Sequence, residues 1–193
     1  MIKDDDELQK VIERVGSDLN DVQRYLGRDD HPSAKIKFPR GYLREAVGFR
    51  REIWFVDDEV LRRNLAYAHI LSDIYRWLIN RTDLTGVAEG MIIKEGICLV
   101  GSICESLTKE VAVNEGIVSK KLPYKARCKA MSKTGMISDG LCEELCWVWD
   151  VRQNEHIFLV DEREHEMYTL GDYNRAIKGL RALKGELNAY FGV

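Results

Sequence analysis

Residues 58–81 read DEVLRRNLAYAHILSDIYRWLINR, and the apolar positions Leu61, Leu65, Ala68, Leu71, Ile74, Tyr75 and Leu78 return at steps of three and four. That spacing lines one face of an α-helix and does not fit the two-residue alternation of a strand. Asp57 or Asp58 precedes the stripe, with a carboxylate suited to accept from the free N–H groups of the first turn. The same period recurs on both sides. Upstream, Leu8, Ile12, Val15, Leu19, Val22 and Leu26 mark a helix that Gly27 ends. Downstream of a turn at Thr82–Gly86, a segment from about Val87 to Val113 carries Met91, Cys98, Leu99, Ile103 and Leu107 among Gly90, Gly96 and Gly101, small residues that let helices approach closely.

A short helix is expected from about Tyr124 to Lys133, closed by Gly135. Ser138 or Asp139 opens another, with Leu141, Leu145, Val148, Trp149 and Val151 on one face, running to about His156. Ile157–Val160 is β-compatible but has no partner strand, so an extended connector is expected there. Thr169–Asp172 resembles a capping segment for a last helix whose stripe is Tyr173, Ala176, Ile177, Leu180, Leu183, Leu187 and Tyr190. Between the first two stripes, residues 29–51 hold Pro32, Pro39, Gly41 and Gly48 among many Lys and Arg, which reads as an irregular arm docking through Phe38, Tyr42, Phe49, Trp54 and Phe55. The expected architecture is therefore all-α: an N-terminal helix and basic arm over residues 1–56, then a helical bundle over 57–193.

Composition agrees with a folded bundle. Of 193 residues, 45% are hydrophobic and 32% charged, enough of each to fill a core and coat it. The net charge of -3 gives no global attraction to a polyanion, so any nucleic-acid contact must be local. The five cysteines are an odd number, and the acidic start Asp4-Asp5-Asp6 does not read as a secretory leader, so reduced thiols and a cytoplasmic location are expected. No apolar run reaches the roughly 20 residues a membrane span needs. There is no Gly-rich phosphate loop, nucleophile elbow or paired-cysteine zinc motif, and no cofactor is expected. Cys142 and Cys146 stand four apart but lack further ligands at local spacing, and His69 lies among apolar neighbours; both fit packing better than metal.

Two features carry chemistry. Arg152 and His156 stand four apart, which on a helix places them about 40° and about 6 Å from each other, close enough to meet one phosphate. Arginine offers a fixed fork for phosphate oxygens, and histidine exchanges protons near neutral pH. A solvated face, with Arg152 paired to Asp150, Glu155, Glu162 or Glu164, gives the same spacing. Second, Lys120, Lys121, Lys125, Arg127, Lys129 and Lys133 lie in a stretch from Ile117 to Thr134 without an acidic residue, a local positive patch suited to RNA phosphates or simply a solvated face.

The segment Cys146-Trp147-Val148-Trp149-Asp150-Val151-Arg152-Gln153-Asn154-Glu155-His156 resembles the signature of the HEPN superfamily, an Arg, a polar residue and a His late in a helix. The upstream Ser102-Ile103-Cys104-Glu105-Ser106-Leu107, the short helix ending in Gly135 and the last helix from Tyr168 resemble the rest of that bundle, over about residues 58–190. Three residues separate Arg152 from His156 here, where family nucleases place four to six, and Asn154 stands one place later than the family's polar residue. The resemblance implies metal-independent RNA cleavage by the substrate's own 2′-hydroxyl, with Arg152 and His156 central, Asn154 assisting and Glu105 orienting either of them or lying idle on the surface. It also implies a homodimer with the motif helices facing, and a toxin or phage-defence role with an antitoxin or other protein partner. A non-catalytic module of the same fold, binding RNA, nucleotide or protein, is the alternative.

Overall fold

In a computed structural model, residues 1–153 and 168–192 are described, and all regular structure among them is helical. The expected connector at 157–160, and with it Asn154 and His156, lies outside the described residues. Contacts divide the chain into two units, Met1–Pro39 and Arg40–Val193.

The first unit is built on α1 (Asp5–Leu26). Asp4 caps it by accepting from the Glu7 N–H, and the acidic residues Asp5, Asp6 and Glu7 sit at the positive end of the helix dipole. No residue of α1 is buried.

Among the described residues the second unit packs six helices: α2 (Ala46–Glu52), α3 (Glu59–Arg81), α4 (Gly86–Asn114), α5 (Tyr124–Lys133), α6 (Asp139–Gln153) and α7 (Leu170–Tyr190). Asp58 starts α3 by accepting from the N–H groups of Val60 and Leu61. Thr169 and Asp172 form a reciprocal capping box on α7, which holds the entry to that helix at a fixed point. Gly135, at φ 74°, turns the chain after α5 in a conformation that costs other residues a Cβ clash.

The division by contacts at Pro39/Arg40 lies upstream of the 56/57 division drawn on the sequence. Residues 40–56 join the body because Phe49, Ile53, Phe55 and Val56 are buried, and because α2, a turn of helix inside the stretch expected to be irregular, packs on α3. Polar contacts fix this arm. Arg44 donates to both carboxylate oxygens of Asp73, at 2.7 Å from Nη2 and 3.1 Å from Nε. The Trp54 indole N–H donates to Asn188 Oδ1 at 2.9 Å, and Lys184 pairs with Glu52. His69 is buried and stacks on Phe49 with ring centroids 4.8 Å apart. Burial, reinforced by Lys184, pushes its pKa down to about 4.

The middle of the body is α4, which touches α3, α5, α6 and α7. Its buried residues, among them Ile93, Ile97, Val100, Ile103, Leu107 and Val111, lie all round the axis, as expected of a helix enclosed by others. Two of its glycines give this enclosure its fit. A Cβ on Gly96 would stand 2.8 Å from the Tyr173 ring of α7, and one on Gly101 would stand 3.1 Å from Arg152 Cβ of α6.

Candidate functional site

The second glycine leads to the site. Because residue 101 has no side chain, the Arg152 stem lies directly against α4, and its head reaches the next turn of that helix. Nε donates to Ser102 Oγ at 3.2 Å, and Nη2 stands 3.3 Å from Glu105 Oε2. The guanidinium lies over the Trp149 ring, 4.8 Å from its centroid. One residue is thus held by a hydroxyl, a carboxylate and an aromatic face. Among the described residues these contacts occupy two of the five N–H groups of the guanidinium. Arg152 retains 27% of its side-chain exposure and Glu105 33%, so both are reachable from solvent.

Trp149 extends the arrangement. It stacks on Tyr124 of α5 with centroids 4.5 Å apart and planes 15° from parallel, and the Arg127 guanidinium lies 5.3 Å from the Tyr124 centroid. Arg152, Trp149, Tyr124 and Arg127 therefore form a stack joining α6 to α5. Burial pushes the Tyr124 hydroxyl up and the Cys128 thiol up to about 12, and it draws the Arg127 pKa down. Neither thiol nor phenol is set up as a nucleophile near neutral pH.

The basic stretch divides in two. Lys120, Lys121, Lys129 and Lys133 are exposed, and Lys125 pairs with Asp150 of α6. Arg127 departs from the surface role expected of it. It is 3% exposed, and its donors go to Thr108 Oγ1 at 3.3 Å and to the carbonyl oxygens of Leu122 and Glu105 at 3.4 Å. It ties α5 to α4 and is unavailable to a strand of RNA. The signal was present in the sequence: Tyr124, Cys128 and Met131 mark the inward face of α5, and Arg127 falls on it, whereas Lys125, Lys129 and Lys133 repeat on the outward one.

Of the expected catalytic group, Arg152 and Glu105 are brought into contact, with Glu105 oriented on Arg152. Ser102, Gly101 and Trp149 complete the support and were not singled out by their types. Trp149 precedes Arg152 by three residues, the i, i+3 spacing that puts an aromatic face under a guanidinium. Cys142 and Cys146 lie on α6, and no group of three metal-ligating side chains occurs among the described residues. No helix among them is long and apolar enough to cross a membrane. No protein-family model, curated protein or solved structure matches the chain.

Proposed function

We propose that the protein is a HEPN-like bundle that acts on RNA, holding a backbone phosphate with Arg152 beside the lysines of α5. The observation that carries this reading is the support of Arg152: a reachable guanidinium fixed by Ser102, Glu105 and Trp149. Fixing the fork in advance lowers the entropy lost when a phosphate binds. Lys125, which pairs with Asp150 of α6, and Lys129 and Lys133 one and two turns on along α5, supply further positive charge for the strand.

The reaction that the family resemblance implies is attack of the ribose 2′-oxygen on phosphorus. The P–O5′ bond breaks, leaving a 2′,3′-cyclic phosphate and a 5′-hydroxyl. His156 gives the leaving oxygen its proton, the 2′-hydroxyl proton passes to solvent, and Arg152 steadies the charge on the phosphoryl oxygens. Asn154 assists in binding the strand. As a toxin or phage-defence effector, such an enzyme works as a homodimer with the two α6 ends facing, restrained by an antitoxin or another protein partner.

A specific observation favours a second reading, a binder without catalysis: Glu105 already neutralises Arg152, which suits exchange of one anion for another better than stabilisation of a transition state. Incubating the purified protein with mixed cellular RNA and analysing fragment ends decides between them. Cyclic-phosphate ends that disappear in His156→Ala, with RNA retention unchanged, support the nuclease. Retention without cleavage, weakened about tenfold by Arg152→Ala, supports the binder. If wild type neither cuts nor retains RNA, both readings fall.

A further inference from the structure

We propose that a cleft between α3 and α7, on elements other than the α4–α6 site, binds a small phosphorylated anion. The cleft has a volume of about 200 Å³, and Arg44, Arg76, Arg181 and Lys184 bring four cationic heads to its wall. Two are already matched, Arg44 by Asp73 and Lys184 by Glu52. Arg76 and Arg181 have no carboxylate partner among the described residues, so the wall carries two uncompensated guanidinia.

A second, independent feature belongs to the same wall. His69 lines the same cleft at 3% exposure, and its Nε2 is buried with no hydrogen-bond partner among the described residues. A buried ring nitrogen is unfavourable without a partner, and an oxygen of a bound anion supplies one. Ser72, one turn from Arg76, adds a hydroxyl to the wall. Two guanidinia, a hydroxyl and a neutral imidazole are donors that match the several oxygens of a phosphoryl group better than the two of a carboxylate. The pairing of Arg44 with the buried Asp73 gives the wall its shape in advance, since neither side chain need be ordered on binding.

A neighbouring cavity of about 470 Å³ shares Arg44, Asp73 and Arg76 with the cleft, and Tyr42, Asn80, Arg81 and Asn174 offer hydrogen bonds there. One compartment thus suits the phosphoryl head and the other the organic remainder of a small metabolite or nucleotide.

Calorimetric titration of the full chain with inorganic pyrophosphate tests the site. Saturable one-to-one binding is expected, with Kd raised about tenfold by Arg76→Ala and by Arg181→Ala and left alone by Lys178→Ala, an exposed cation of α7 outside the cleft. The His69 ring nitrogens should shift in proton–nitrogen NMR as the site fills. Absence of saturable binding in the millimolar range, or equal weakening by Lys178→Ala, overturns the proposal. RNA retention by the two cleft variants should stay at the wild-type level, so failure here and failure of the RNA reading are told apart.

A different observation carries a second inference: α1 pairs in parallel with α1 of another copy of this chain. Leu8, Ile12, Val15, Leu19, Val22 and Leu26 alternate steps of four and three throughout, the 3.5-residue period of a coiled-coil seam. The first five are 40–54% exposed. Flanking the seam of a parallel pair, Val11 meets Gly16 and Asp18 meets Gln23, so no like charges face, whereas an antiparallel pair sets Asp18 beside Asp18. Sedimentation of the full chain and of its Ile12→Asp/Leu19→Asp variant reads this: a smaller assembly in the variant supports the pairing, and identical profiles overturn it. In Val15→Cys, mild oxidation should link the two copies across the seam. A chain that stays unlinked argues against the parallel register.

Discussion

Two arginine–carboxylate pairs in the body are built on different terms. Arg44 meets Asp73, whose side chain is 4% exposed, while Arg152 meets Glu105 with both partners about one-third exposed. Separation of the first pair strands a carboxylate in the interior. Separation of the second returns two groups to water. An ion pair with a buried carboxylate is therefore a fastener, and one with both partners partly exposed is a contact that an incoming anion can replace. The same contrast holds for the neighbours: His69 beside the first pair is held neutral by burial, while Trp149 beside the second keeps one face for the guanidinium.

The comparison breaks most readily at the first pair. Arg44→Ala should lower unfolding free energy by about 1–3 kcal/mol, since Asp73 stays buried with the residue-44 N–H but without the guanidinium. Denaturant titration measures this, and a loss below about 1 kcal/mol would put the two pairs in the same class.

His69 gives an effect of similar size at its limit. Its pKa falls from 6.5 unfolded to about 4 folded, so the unfolded chain binds the proton first and stability is lost as pH drops from about 6.5 to about 4. The loss approaches about 3 kcal/mol at the lower end. It should be absent from the corresponding slope of His69→Gln, measured by unfolding across that pH range.

The two glycines of α4 sharpen the contrast further. Gly96→Ala drives a methyl to 2.8 Å from the Tyr173 ring in the core and should cost about 1–3 kcal/mol despite the better helix propensity of alanine. Gly101→Ala presses on the Arg152 stem at 3.1 Å, and that side chain can move outward. Thermal unfolding should change little, within about 1 kcal/mol, while RNA retention falls. The smallest expected stability effect is that of Glu105→Gln, below about 1 kcal/mol. On the RNA reading it should strengthen retention and steepen its salt dependence, because the charge on Arg152 is no longer neutralised. Weaker retention would instead show that orienting Arg152 matters more than freeing its charge.

Local patterns in the sequence were sufficient to locate most of the helices. Apolar steps of three and four, the carboxylate of Asp58, the Thr169–Asp172 box and the left-handed Gly135 all act within a turn or two of the chain, so they are legible without knowing the neighbours. The expectation that Arg152 meets a phosphate rests on the same kind of signal, the side chain's type and its place near a helix end. Which group each side chain meets was decided only in three dimensions. Arg127 belongs to a basic run by sequence and to the interior by position, because α5 packs that face on α4. Arg44 finds Asp73 across 29 residues once α2 settles on α3. Glu105 closes on Arg152 because Gly101 lets α6 lie close to α4, and that approach depends on how two helices cross, which the period of neither helix encodes.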